Sequence, residues 1–309
     1  MKAILLALCL LLCHAAAFGA PIEQAVPADI AADYLESDAV LDEAPCAWRE
    51  PLAAIFVPAV QHCTTPREAA LFIAEHMTAL TGAYYSTERR KPNMNALEAL
   101  SEKKISCTGQ SILLVCALRS VGLPARAVFV PTWNHIRGNH TWVEVWLEGE
   151  WQMIEFNERA FNTPWVMENI GFLDDTHPAQ HVYAVAPSRP THLVHYGGSR
   201  IRAVDVTPRY AALAAEWYAG ANLPADHQRL LVDVKPRPQE ATPITLEAAD
   251  GTALATVPSP TVQNDLRYFA RLNLPRCGGP YFLRIGPHRH PIAPTPASAR
   301  VIQLPMQSE

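Results

Sequence analysis

The stretch Ser106-Cys107-Thr108-Gly109-Gln110-Ser111, followed by the apolar run 112–118, decides the fold of this chain. A polar turn that meets an apolar run predicts a mostly buried helix, with Ser106 or Thr108 as its cap. Cys107 then falls in or just before the first turn, where free backbone N–H groups and the helix dipole favour a thiolate. The stretch therefore predicts either a reactive thiol or a buried structural cysteine.

A histidine and a carboxylate follow on two predicted strands. The turn Gly122-Leu123-Pro124-Ala125-Arg126 ends the helix, and an aromatic-rich strand begins at His140. Glu155 lies on the next strand. A cysteine on a helix, a histidine at the start of one strand and a carboxylate on the next is the order of a thiol triad. The order predicts that Cys107 is the nucleophile, that His140 moves the proton and that Glu155 orients the imidazole.

This joint pattern, with the strand His140-x-Trp142-x-Glu144-x-Trp146, resembles the transglutaminase-like superfamily over about residues 82–160 and more weakly to about 210. The resemblance implies a papain-like α+β fold and acyl transfer through a cysteine thioester. It also implies that an aromatic residue upstream of the cysteine lines the groove. We assign Tyr85 to this substrate or oxyanion position, and the alternative is a half-buried packing tyrosine.

The carboxylate departs from the family pattern. The family has an aspartate four residues after a tryptophan, and here Glu155 follows Trp151 at that spacing. Glu158 is the second candidate, because peptide N-glycanases, which share the superfamily, carry a carboxylate seven residues after that tryptophan. Glu144 is the third, because it has the same strand parity as His140. A two-residue turn predicted at Gly149-Glu150 pairs Glu155 with the neighbourhood of Glu144.

Composition and the first residues indicate an exported globular protein. The chain has 309 residues, 49% of them hydrophobic, and its net charge of −5 with a pI near 6.2 argues against nucleic-acid binding. Residues 1–20 read as a secretory signal, with Lys2 before an apolar core that is too short for a membrane span. We therefore expect a secreted or periplasmic protein with no membrane span; its oligomeric state stays open.

The cysteines remaining after signal removal are odd in number, which implies at least one free thiol in an oxidising compartment. They are Cys46, Cys63, Cys107, Cys116 and Cys277. Cys46 and Cys63 flank a short apolar segment and could pair, whereas Cys116 is expected in the core and Cys277 in a loop. There is no Cys-x-x-Cys pattern, and His288 and His290 suit adventitious metal binding alone. The sequence predicts no cofactor and no metal site.

The expected architecture is an α+β, transglutaminase-like core with an antiparallel sheet and the Cys107 helix, followed by a C-terminal β-sandwich. Strands are predicted at 125–131, 141–148 and 151–157, and several short alternating runs separated by turn signals predict the sandwich. The predicted divisions are a signal peptide at 1–20, a lead segment at 21–62, the catalytic domain at 63–225, the sandwich at 228–290 and a partly disordered tail at 291–309.

These features predict a thiol enzyme that acts on amide bonds of peptide or protein substrates. If water attacks the thioester, the enzyme is a protease or amidase, and if an amine attacks it, the enzyme is a transglutaminase. No calcium loop is visible in the sequence, which favours the hydrolase. The alternative is a catalytically silent protein that retains the fold for binding or scaffolding.

Overall fold

The computed structural model describes residues 24–134, 136–173, 176–220, 223–263, 269–295 and 299–306. The predicted signal peptide at 1–20 lies outside the described residues. The chain divides into two compact units. The first takes in the described residues up to Thr132 together with Gly138–Thr163 and His177–Thr207, and the second takes in Trp133–Arg137, Pro164–Thr176 and the residues from Pro208 on.

Capping residues explain where the main helices of the first unit begin. Thr65 and Glu68 form a capping box at the start of the helix whose first residue is Pro66, and Asn95 and Glu98 form another. The helices are α1 Ala28–Ala31, α2 Arg49–Ala59, α3 Pro66–Thr81, α4 Ala96–Glu102 and α5 Cys107–Ser120, and a π-helical turn at Ala32–Glu36 follows α1. Helix α2 was not predicted, because its prolines mask the helical pattern between Cys46 and Cys63.

Six strands of the first unit form one antiparallel sheet in the order β5-β4-β3-β6-β8-β7. The strands are β1 Tyr84–Tyr85, β2 Lys104–Ile105, β3 Ala125–Val130, β4 His140–Leu147, β5 Glu150–Ile154, β6 Tyr183–Val185, β7 His192–Tyr196 and β8 Ser199–Asp205. Strands β1 and β2 form a separate parallel pair. The mixed helix and sheet content with antiparallel pairing agrees with the predicted fold class.

The turn between β4 and β5 lies one residue earlier than predicted. Leu147 pairs with Glu150, so the turn residues are Glu148 and Gly149, with φ of 56° and 92°. Positive φ at both positions is typical of a type I′ hairpin, whose twist suits the flanking strands. The predicted turn at Gly149-Glu150 is therefore wrong, and Glu155 does not pair near Glu144.

Helix α5 lies at the centre of the first unit's core. Its residues Ile112, Leu113, Leu114 and Val115 are all fully buried, and they pack in one cluster with apolar side chains of α2, α3, β3 and β4. Each such side chain contributes about 1.5–3 kcal/mol on burial. A helix that is buried on every face is surrounded by packed side chains and cannot move without disrupting them. Its first residue, Cys107, is therefore held at a fixed place.

The other cysteines are free thiols throughout the described chain. Cys116 is 1% exposed within α5, which agrees with its predicted place in the core. Cys46 and Cys63 both pack against the core cluster and do not pair. The pairing suggested by the sequence is therefore wrong for this structure, in which the 11-residue helix α2 lies between the two cysteines.

In the second unit, the described residues form two helices and two sheets. The elements are α6 Pro164–Ile170, α7 Thr207–Gly220, β9 His227–Lys235, β10 Pro243–Glu247, β11 Ala253–Pro258, β12 Ala270–Pro275, β13 Tyr281–Ile285, β14 His288–Ile292 and β15 Ala299–Pro305. The sheet orders are β11-β10-β13-β14 and β12-β9-β15, and one apolar cluster contains residues of both sheets. Strand β15 runs parallel to β9, within the segment that the sequence assigned to the tail.

Candidate active site

The first turn of α5 positions Cys107. The Ser106 hydroxyl accepts a hydrogen bond from the Gly109 backbone N–H at 2.9 Å, which caps the helix. A Cβ on Gly109 would lie 3.1 Å from Cβ of Ile105, so the close packing of this turn on β2 favours glycine. Cys107 is therefore the first residue of α5, in the first turn where the sequence places it.

Several polar groups contact the Cys107 sulfur. Burial raises the pKa of the Cys107 thiol, but hydrogen bonds from His140, the Thr141 backbone and Thr108 favour the thiolate, together with the charge of His140. The net effect is a pKa below the ordinary thiol value. The site therefore stabilises Cys107 in its nucleophilic form.

His140 lies between Cys107 and Glu155. Its Nε2 is 2.7 Å from Oε1 of Glu155, which leaves Nδ1 to meet the thiol. Burial lowers the pKa of His140, but its hydrogen bonds with Cys107 and Glu155 and their negative charges raise it to about 9. A lowered thiol pKa beside a raised imidazole pKa describes a thiolate–imidazolium pair.

Strand register explains how Glu155 reaches His140. Val143 pairs with Ile154, so Glu155 follows at the position beside Trp142, on the same sheet face as His140. The contact between Glu155 and His140 is therefore diagonal across the strand pair, where separations are longer than between direct partners. The second carboxylate oxygen of Glu155 accepts a hydrogen bond from the Thr163 hydroxyl.

The three predicted catalytic side chains line one cavity of about 60 Å³. Its lining residues are Cys107, Gln110, Ser111, His140, Thr141, Trp142, Glu155, Phe156 and Glu158. Tyr85 is not among them: its side chain is 54% exposed, with the Arg89 guanidinium 6.0 Å from its ring. The structure therefore brings Cys107, His140 and Glu155 together and leaves Tyr85 outside the lining of this cavity.

The two alternative carboxylates occupy different environments. Glu158 lines the cavity at its exposed side, and the partial desolvation of its carboxyl together with the charge of Glu155 raises its pKa. Glu144 is fully buried and forms an ion pair with Arg126 at 2.8 Å. The prediction that Glu144 faces the groove is therefore wrong. Its carboxylate is buried in an ion pair with Arg126 on the neighbouring strand β3.

A buried polar network beneath the site was missed in the sequence. The Thr141 hydroxyl is hydrogen-bonded to the Thr108 hydroxyl at 2.9 Å and to the Tyr196 hydroxyl at 2.6 Å, and Ser111 donates to the Thr141 carbonyl at 2.9 Å. The sequence indicates this network only through Thr108 and Ser111, which are polar residues in an otherwise apolar helix. Tyr196 offered none, because its approach depends on the order of strands in the sheet.

The ranges that the structure describes bear on metal binding and on membrane-spanning helices. Within those ranges, no group of three or more histidine, cysteine, aspartate or glutamate side chains could hold a metal ion. Among the same residues, no helix is both long and apolar enough to cross a membrane.

The family comparison agrees with this architecture. Residues 54–156 match the model of the Transglutaminase-like superfamily, so this part of the chain is a transglutaminase-like domain. The match includes α5 and the strands that carry His140 and Glu155, and it ends one residue after Glu155. No curated protein matches the chain.

Two solved structures are similar to the chain at low identity. One is a "Putative Cysteine Protease" from Cytophaga hutchinsonii, with 16% identity and a TM-score of 0.32, covering 42% of this chain and 42% of the other. The second is red sea bream transglutaminase, with 12% identity and a TM-score of 0.40, covering 89% of this chain and 65% of the other. The chain thus spans 42% and 65% of the lengths of these two relatives.

Proposed function

We propose that this protein is a thiol enzyme that cleaves amide bonds of peptides or proteins through a Cys107 thioester. The observation that carries the proposal is the contact of His140 Nε2 with Glu155 Oε1 at 2.7 Å, on a ring that also hydrogen-bonds Cys107. The transglutaminase-like domain supports it, since that superfamily consists generally of cysteine-dependent enzymes.

The proposed mechanism uses the three side chains in turn. The Cys107 thiolate attacks the amide carbonyl, and the backbone N–H of Cys107 donates a hydrogen bond to the oxyanion. His140 then gives its Nδ1 proton to the leaving amine, which leaves a thioester on the sulfur. In the second half, His140 takes a proton from water, which attacks the thioester and releases the acid. Glu155 stays ionised throughout and stabilises the imidazolium.

Hydrolysis and amine transfer share the first half of this mechanism. They differ in whether water or an amine attacks the thioester, and we place hydrolysis first. A direct experiment incubates the purified chain with a peptide library, with and without a fluorescent primary amine, and reads products by mass spectrometry. We expect cleaved peptides without amine incorporation, and no products from Cys107→Ala. Equal turnover by Cys107→Ala and the wild type would contradict the assignment of Cys107 as the nucleophile.

We also propose that the protein is exported and that its C-terminal part is a β-sandwich module. The support for export is the sequence of residues 1–20, and the test is a mature N-terminus after Ala17 or Gly19 in the exported fraction.

The support for the C-terminal β-sandwich module is a core cluster with residues of both sheets. Limited proteolysis between about 218 and 230 tests it, because a separate module survives as a folded C-terminal fragment.

A further inference from the structure

The second unit contains a groove of about 500 Å³ that the proposed chemistry does not use. Its lining residues are His227, Arg229, Leu254, Ala255, Val257, Arg271, Leu272, Asn273 and Pro275. They come from β9, β11 and β12. Strands β11 and β12 are edges of their sheets, so each has one row of backbone groups without a strand partner among the described residues.

The groove carries one cation whose charge is not balanced. Arg271 makes two hydrogen bonds to Glu168, both at 2.9 Å, and His227 contacts Asp226 at 2.8 Å. Arg229, in contrast, has no acidic partner among the described residues, and its Nε is buried without a hydrogen-bond acceptor. The guanidinium of Arg229 is therefore available to an anionic group that enters the groove.

An unpaired acceptor lies beside this donor. Asn273 is the direct strand partner of Arg229, and its Oδ1 is also buried without a hydrogen-bond partner. Buried polar atoms are rarely left unpaired, because each loses its hydration without compensation. A ligand that brings both an anionic oxygen and an N–H group satisfies both atoms at once.

The remaining lining residues supply apolar contact. Leu254 is 45% exposed on the edge strand β11, and Val257 on the same strand is half-buried. An extended acidic peptide offers a carboxylate, backbone N–H groups and apolar side chains, and it can pair with a free strand edge. We propose that this groove binds an extended acidic peptide segment. A glutamate or aspartate of the segment contacts Arg229, and a backbone N–H contacts Asn273.

A binding assay on the full chain tests this site independently of catalysis. The probe is the fluorescein-labelled peptide Val-Glu-Val-Glu-Val with blocked ends, and anisotropy is measured with Cys107→Ala so that the probe stays intact. We expect saturable binding that Arg229→Gln weakens about tenfold or more and Asn273→Leu weakens in the same direction. Arg229→Lys retains the charge without the guanidinium fork, so its loss is smaller.

Two matched controls define the outcome. Arg300, whose Nη1 donates to the Ala293 carbonyl, lies in the same unit outside the groove lining, so Arg300→Gln should leave binding unchanged. The probe with glutamines in place of glutamates should bind about tenfold more weakly or worse. Absence of binding, equal binding of both probes, or equal binding by Arg229→Gln overturns the proposal. Competition by free glutamate as effective as by the peptide overturns the assignment to a peptide.

Discussion

Thr163 donates its hydroxyl hydrogen bond to Oε2 of Glu155, while Oε1 of the same carboxylate lies 2.7 Å from His140 Nε2. Thr163 is 1% exposed, so water does not replace it readily. Both oxygens of the carboxylate are thereby fixed, one by a neutral donor and one by the imidazole. Thr163 is a positioning residue, because it acts on His140 through Glu155.

The first prediction concerns this hydroxyl. Thr163→Val keeps the shape but removes the donor, and hydrogen bonds to charged groups contribute about 1.5–3 kcal/mol. We expect kcat to fall about tenfold or more with little change in KM, because ground-state binding is untouched. Thr163→Ser should restore most of the rate. A shift of the pH–rate profile in Thr163→Val, absent in Thr163→Ser, separates positioning from loss of fold.

The second prediction concerns Glu155, which stands where the transglutaminase-like pattern has an aspartate. Glu155→Gln keeps the size but loses the charge, so His140 loses a cause of its raised pKa and its orientation. We expect kcat to fall by orders of magnitude, as for other orienting carboxylates. Glu155→Asp retains activity only if the shorter side chain still spans the diagonal. Glu158→Gln is the matched control with a small effect, and the reverse ranking would exchange the two roles.

The third prediction follows from the two pKa directions. The reactive pair requires a deprotonated Cys107, whose pKa is lowered, and a protonated His140, whose pKa is about 9. Activity should therefore rise on an acid limb below the ordinary thiol pKa and fall as the pH passes about 9. Iodoacetamide should label Cys107 rapidly at pH 6, as read by peptide mapping. An inert Cys107 at that pH would favour the silent scaffold.

The fourth prediction compares two candidate donors to the oxyanion. The role of Tyr85 stays a prediction from the sequence, and Gln110 lines the cavity with Cys107 whereas Tyr85 does not. We expect Gln110→Ala to lower kcat more than Tyr85→Phe does, because a donor acts only within hydrogen-bond distance of the reacting oxygen. Steady-state kinetics of both variants on one peptide decide it. A larger loss in Tyr85→Phe would return the role to the tyrosine.

The fifth prediction tests stability away from the cavity. Glu144→Gln leaves the buried guanidinium of Arg126 without its counter-charge, although Arg126 also lies 4.1 Å over the Trp151 ring. Removal of one member of a buried ion pair costs about 3–5 kcal/mol of unfolding free energy. Urea unfolding should show this loss. The double change Arg126→Met with Glu144→Leu should recover most of it, and a mild effect of Glu144→Gln alone would contradict the burial of the pair.

Local chemistry explains which features the sequence could predict. The cap at Ser106 and the apolar run after it predict α5, and strand alternation predicts β3, β4 and β5 to within a few residues. The turn failed because Glu148 adopts positive φ, which is uncommon for a residue with a side chain and leaves no signal in the sequence. One residue of error in a turn changes every cross-strand partner.

Contacts that depend on tertiary packing are not predicted by local sequence patterns. Thr163 reaches Glu155 from a loop, and Tyr196 reaches Thr141 from another strand of the sheet. The parallel pairing of β15 with β9 likewise joins segments about 70 residues apart. Such contacts follow from the packing of whole elements, which a local sequence pattern does not specify.

The lowered pKa of Cys107 determines at which stage of folding this thiol becomes reactive. The lowered pKa of the Cys107 thiol requires the imidazole of His140 on β4. The raised pKa of that imidazole in turn requires the carboxylate of Glu155, which directly follows β5. An unfolded chain lacks both partners, so its Cys107 is an ordinary thiol and largely protonated at neutral pH. Chemical reactivity thus arises only from the assembled protein, and the nucleophile stays latent until three separate segments have come together.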